Sequence, residues 1–212
     1  MATNPPVAVH DTGIGEWHGH SQRGISNPIL GMILFIASEV MFFAGLFAAY
    51  FNVRLTSLHW PPLVNEQEYE AFNLHTPEHL VVAGTLTAIL VFSSVTMQMG
   101  VWAIRRGDRK IFLRATGVTL ILGVIFLGGQ VWDYTELQFG ITDTAFGSTF
   151  YTLTGFHGAH VAGGAIMLAV VLYRGLAGQF SARHHDMVEA TSLYWHFVDV
   201  VWIVLFSTLY LL

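Results

Sequence analysis

Residues 28–51 read PILGMILFIASEVMFFAGLFAAYF. Glu39 is the only charge in this run. A helix of about 20 residues crosses the roughly 30 Å hydrocarbon layer of a bilayer, and this stretch is long enough to do so. Inside lipid, every backbone N–H and C=O must find its partner within the protein, so an isolated apolar run of this length can only be a helix. Pro28 suits the first helical position, where its missing N–H costs nothing.

Four further stretches repeat the pattern, at about residues 80–104, 113–132, 147–173 and 190–212. The expected architecture is all-α: an integral membrane bundle of five transmembrane helices over residues 28–212, behind a polar, Gly- and His-containing tail at 1–27. The tail lacks a basic start followed by an apolar core, so it does not read as a cleaved signal peptide. Insertion is expected to rely on the first span.

Composition agrees. Of the 212 residues, 53% are hydrophobic and 11% charged, whereas soluble domains carry about 25% charged residues. No basic stretch is rich enough to suggest nucleic acid as a partner. The chain has no cysteine, which removes disulfides, thiolate-held iron–sulfur clusters and thiolate copper sites.

Charge distribution sets the expected orientation. Arg23, the basic turn of Arg105, Arg106, Arg109, Lys110 and Arg114, then Arg174 and Arg183 account for eight of the nine Lys and Arg residues. All eight fall on one side if the N-terminus is inside and the C-terminus outside, as the positive-inside rule requires. Arg54 and the acidic loop of Glu66, Glu68, Glu70 and Glu78, with Trp60-Pro61-Pro62, then face outward. The loop after the third span is expected to hold Asp133, Glu136 and Asp143.

Lipid tails are as apolar as leucine, so the helices need close backbone approach to pack. Candidate contact residues are Gly155, Ala159 and Gly163 in the fourth span, Ala44, Gly45, Ala48 and Ala49 in the first, and Gly117, Gly123, Gly128 and Gly129 in the third. Tyr50, Trp60, Trp102, Trp132, Tyr173 and Tyr210 lie near span ends and are expected to form interfacial belts.

Five ionisable residues fall within the spans: Glu39, His157, His160, His196 and Asp199. Such residues are costly in a bilayer and usually face a partner in the bundle interior. Helical spacing puts His157 and His160 on one face, and His196 and Asp199 on another. Counting rise per residue puts Glu39, His160 and Asp199 in nearly one layer. Three readings follow: a carboxylate–imidazole metal site, a proton path, or a set of hydrogen bonds that fixes packing. A di-iron site calls for repeated Glu with Glu-x-x-His, a pattern missing here. A proton path needs a continuous line to both surfaces, and one layer does not supply it. Glu39 has no basic partner in its own span. Hydrocarbon disfavours a charged carboxylate, so Glu39 is expected to react with carbodiimides, which attack carboxylic acids in apolar surroundings.

Three motifs resemble a known family. Ser38-Glu39-Val40-Met41-Phe42-Phe43-Ala44-Gly45 resembles the Glu-bearing span of cytochrome c oxidase subunit III. Gly147-Ser148-Thr149-Phe150 with Gly155-Phe156-His157-Gly158-Ala159-His160-Val161 resembles the family's penultimate span. Tyr194-Trp195-His196-Phe197-Val198-Asp199-Val200-Val201-Trp202 resembles its last span, and His184-His185 and Glu189 sit at matching places before it. The three occur in the family's order from about Asn27 onward.

The resemblance implies a chain without haem or copper that flanks the catalytic subunit I, alongside subunit II, with a small subunit IV and a respiratory supercomplex as further candidate partners. Haem a, haem a3 and copper are expected in those partners. The assembly, of proton-pumping aa3 type, reduces oxygen to water with electrons from cytochrome c. Family members support proton uptake, protect the catalytic subunit during turnover and hold phospholipid. Glu39 matches the family's carbodiimide-reactive glutamate, and Arg174 an arginine that contacts a lipid phosphate. Seven-span members have two extra N-terminal helices that wall a lipid cleft, so the lipid site is expected to carry over only in part. In Gln130-Val131-Trp132-Asp133-Tyr134 the acid is Asp where the family often has Glu. Five-span forms imply a bacterial plasma membrane. They also occur in quinol oxidases and as accessory proteins of nitric oxide reductases. An independent proton or metal transporter is the alternative from another class.

Overall fold

A computed structural model describes residues 26–57, 60, 77–137 and 139–212, with only the backbone at 77 and 78. Most of the N-terminal tail and the acidic loop bearing Glu66, Glu68 and Glu70 lie outside the described residues. Among the described residues five helices follow one another: α1 Asn27–Thr56, α2 Pro77–Arg105, α3 Arg109–Glu136, α4 Ala145–Leu176 and α5 Asp186–Phe206, with a π-helical turn, Ser207–Leu211, after the last. All five are long and apolar enough to cross a membrane.

The helices outrun the apolar stretches read from the sequence, because polar end residues continue the hydrogen-bond ladder. Asp133 and Glu136, expected in a loop, belong to the last turns of α3. Tight turns join the helices at the basic end. Gly107 and Gly178 take φ of +78° and +74°, a region that favours glycine, in the α2–α3 and α4–α5 turns. The Asp108 side chain accepts from the Ile111 N–H and so caps α3. Arg109 reaches across and donates to the Gly175 and Leu176 carbonyls, covering the exposed end of α4.

Helix α5 is the centre of the bundle, packed against α1, α2 and α4. Two tryptophans one heptad apart explain this. Trp195 is fully buried, and its indole N–H donates to Ser93 Oγ on α2 at 2.9 Å. Its ring lies directly against the backbone of Gly123 on α3 and Gly164 on α4, where a Cβ would sit 2.6 Å and 2.8 Å from ring carbons. Trp202 repeats the arrangement. It donates to Thr87 Oγ1 on α2, stacks 4.9 Å from His157 on α4, and meets Phe126 of α3 edge-on at 4.8 Å. Each indole therefore touches the three helices α2, α3 and α4.

Helix α1 is peripheral. Its buried residues are Phe43 and Tyr50, again seven apart. Phe43 packs on Phe197 and His160, and the Tyr50 hydroxyl donates to the Thr208 carbonyl.

Several packing expectations are corrected. Ala44, Gly45, Ala48 and Ala49 lie on the exposed side of α1, and Gly155 and Ala159 on the exposed side of α4. Gly45, Gly117, Gly128 and Gly155 have open space where a Cβ would point. Gly123 and Gly129 are close approaches as expected, against Trp195 and Leu86, and they are joined by Gly164 against Trp195 and Gly175 against Phe112. Spacing alone cannot show which small residue faces a bulky ring. Among the aromatics, Trp102, Trp132 and Tyr173 are exposed at helix ends, as belts require, but Tyr50 and Tyr210 are each 1% exposed and lie in the core.

Candidate functional site: the buried acids and imidazoles

The five intramembrane residues separate into three places. Glu39 Oε2 on α1 lies 2.8 Å from His160 Nε2 on α4. The other ring nitrogen, Nδ1, faces the Phe156 carbonyl at 2.6 Å, so Nδ1 carries a proton and donates. Nε2 and the carboxyl then share one further proton. Either the carboxylic acid donates to Nε2 or an imidazolium donates to the carboxylate, and the same geometry holds both. Phe42 and Phe43 flank the imidazole. Tyr194 of α5 donates to the His160 carbonyl, linking the pair to the central helix. The lone carboxylate of the α1 sequence thus has a basic partner, supplied by α4.

His196 and Asp199 meet through a residue of α2. The Ser94 hydroxyl donates to Asp199 Oδ2 and lies 2.7 Å from His196 Nδ1. Since the single hydroxyl proton goes to Asp199, His196 Nδ1–H donates to Ser94 Oγ. His196 Nε2 is 3.3 Å from Gln98 Oε1, one turn further along α2. Asp199 Oδ1 is buried without a hydrogen-bond partner.

His157 stands apart from His160. It is fully buried, stacked on Trp202 and edge-on to Phe126 at 5.9 Å, with neither ring nitrogen hydrogen-bonded. Three residues on an α-helix differ by about 60° in direction, enough to turn His160 to α1 and His157 to the core. The acids and imidazoles therefore do not form one cluster. Among the described residues no three His, Cys, Asp or Glu side chains converge as metal ligands would.

Arg174, in the last turn of α4, donates from Nε to Gln179 Oε1 at 2.7 Å and from Nη1 to Met187 Sδ. Its guanidinium lies 5.2 Å over the Phe180 ring. Nearby, Arg105 donates to Glu189 Oε1 at 2.8 Å, and His185 Nε2 is 3.0 Å from the same oxygen.

The family model for cytochrome c oxidase subunit III matches residues 7–212. The chain belongs to the cytochrome c oxidase subunit III family. It is 43% identical over 200 residues to a cytochrome c oxidase subunit 3 of Synechocystis, covering 93% of this chain and 81% of that one. It is 37% identical over 207 residues to that of Thermostichus vulcanus, covering 97% and 96%. Similarity to the subunit 3 of Sus scrofa is 41% over 200 residues, covering 92% of this chain and 73% of the porcine one.

Within this subunit III fold, sequence reasoning missed Ser94, the α2 hydroxyl that joins His196 to Asp199, and Gln98, which faces His196 Nε2. They are uncharged and so gave no signal against an apolar span. It also missed a cluster at the end of the bundle away from the basic turns. Asp133 is 3% exposed; the Tyr210 hydroxyl lies 3.4 Å from its Oδ2, and His79 Nδ1 lies 3.9 Å from its Oδ1. The run from Gln130 to Tyr134 held the clue, since Gln130, Asp133 and Tyr134 recur at helical spacing.

Proposed function

We propose that this chain is the non-redox subunit III of a proton-pumping, aa3-type cytochrome c oxidase in a bacterial plasma membrane. It flanks the subunit that holds haem a, haem a3 and copper, and sits in the membrane with its N-terminus inside. The observation that carries this reading is the family match across residues 7–212. The geometry supports it: Glu39 is hydrogen-bonded to His160, and Asp199 and His196 are both hydrogen-bonded to Ser94. These contacts brace α1 on α4 and α5 on α2.

Three supporting roles follow. The chain backs proton uptake into the catalytic subunit, prolongs that subunit's activity during turnover, and holds a phospholipid at Arg174. Arg174 suits an anionic headgroup because it stands in the last turn of α4, where Arg109 reaches the Gly175 and Leu176 carbonyls, at the end of the bundle rich in basic residues. The electron donor is assigned as cytochrome c from the names of the relatives. A quinol oxidase or nitric oxide reductase partner is distinguished by its neighbouring subunit, since a dinuclear copper domain marks a cytochrome c oxidase.

Selective removal of the chain from the assembled oxidase tests the reading. Initial oxygen reduction is expected to persist while the active lifetime under turnover shortens. The purified chain in liposomes is expected to carry no proton or metal flux. Flux through the chain alone would contradict the proposal and favour a transporter.

A further inference from the structure

Among the described residues eight buried side-chain polar atoms have no hydrogen-bond partner, and half of them belong to two residues with no side-chain partner at all: Nδ1 and Nε2 of His157, and Oε1 and Nε2 of Gln130. His157 is 0% exposed and Gln130 4%. Buried polar groups without partners are rare and expensive. Two such side chains on adjoining helices point to a shared cause.

The helix register brings the two to one level. Phe126 of α3 meets the His157 ring of α4 at 5.9 Å, and the Tyr134 hydroxyl of α3 donates to Thr154 of α4 at 2.7 Å. Gln130 is one turn from both Phe126 and Tyr134. It therefore faces the Thr154–His157 stretch of the antiparallel neighbour. Trp202 covers one face of the imidazole, but its N–H is committed to Thr87.

We propose that Gln130 and His157 line a buried water-binding site between α3, α4 and α5. The donor and acceptor set decides the ligand class. An amide and an imidazole offer both donors and acceptors and no fixed negative charge, which suits a small neutral dipole and not a metal cation. Asp133, one turn along α3, is held by Tyr210 and His79. A buried water makes roughly three hydrogen bonds, so about one or two waters satisfy all four atoms.

X-ray radiolytic footprinting in ¹⁸O-water, on the protein as purified from its membrane with its native partners, tests this. Radicals form from water in place, so a buried ring beside bound water is oxidised despite its burial. Trp202 or His157 is expected to oxidise several-fold faster than Trp195, which is equally buried and also donates its N–H to a hydroxyl, but whose ring lies on Gly123 and Gly164 one heptad away from the His157 stack. Rates at both residues no higher than at Trp195 would overturn the proposal. Gln130→Met provides a second readout at nearly constant volume. A hydrated site loses a water partner and the melting temperature falls; in a dry site the change removes an unpaired amide and the melting temperature rises, which would also overturn it. If that variant fails to assemble, footprinting of the unaltered protein decides.

Discussion

Glu39 of α1 and His160 of α4 share a 2.8 Å hydrogen bond between the most peripheral helix and its neighbour. With Phe43 and Tyr50 it is one of few specific contacts that hold α1 on the bundle. A double-mutant cycle with Glu39→Gln and His160→Phe is expected to give a coupling of about 1 kcal/mol, the scale of interhelical hydrogen bonds in membranes. Thermal unfolding of the purified complex measures it; additive single effects would show that the contact does not brace α1.

The same carboxyl has a chemical signature. Glu39 is expected to be modified by an apolar carbodiimide, and Glu39→Gln to abolish that labelling. Peptide mass spectrometry locates the adduct. Adducts on surface carboxylates with Glu39 untouched would contradict the placement of this half-buried pair within the membrane span.

Trp195 separates the glycines that matter from those that do not. Gly164→Val forces a side chain into the indole ring and is expected to cost about 1–3 kcal/mol, as overpacking does. Gly155→Ala and Gly117→Ala point into open space and are expected to leave stability unchanged or raise it by up to about 1 kcal/mol, since alanine favours a helix more than glycine. Melting temperatures of the three variants test the ranking, and equal losses would refute the assigned register of α5.

Ser94 is the group that joins α2 to both His196 and Asp199. Ser94→Ala leaves a buried carboxyl with neither oxygen paired and is expected to cost about 1–3 kcal/mol. Asp199→Leu removes the carboxyl altogether, and adding it to Ser94→Ala is expected to recover part of that loss. An unchanged melting temperature for Ser94→Ala would show that the hydroxyl is not the link.

Arg174 is tested through lipid. Arg174→Met is expected to lower the phospholipid retained after detergent purification, read by lipid mass spectrometry. Unchanged retention would assign the arginine to its contacts with Gln179 and Phe180 alone.

The five helices were legible because hydrocarbon permits few spanning solutions, and runs such as 28–51 and 190–212 admit only a helix. The polar residues were legible as exceptions to those runs, yet their partners were less so. The pairing of Glu39 with His160 depends on which faces of α1 and α4 meet, a tertiary fact that spacing within one helix does not contain. Ser94 and Gln98 are neutral and blend into α2. A charge near an apolar boundary, as at Asp133, reads as an exit from the membrane, whereas α3 continues for another turn and buries it. The packing glycines are legible in part: Gly123 and Gly129 meet Trp195 and Leu86 as close approach requires, whereas Gly117, Gly128 and Gly155 face open space, because the sequence of one helix does not show which small residue meets a bulky ring on another.

The claim on which all of this depends is that the chain is a companion to a redox partner. Native mass spectrometry, with an optical spectrum, of the assembly purified through a tag on this chain tests it most directly. A complex in which the chain accompanies a larger haem-bearing subunit, and shows no haem absorbance once dissociated from it, is the expected result. A stable chain that purifies alone, with haem or stoichiometric metal of its own, would contradict it.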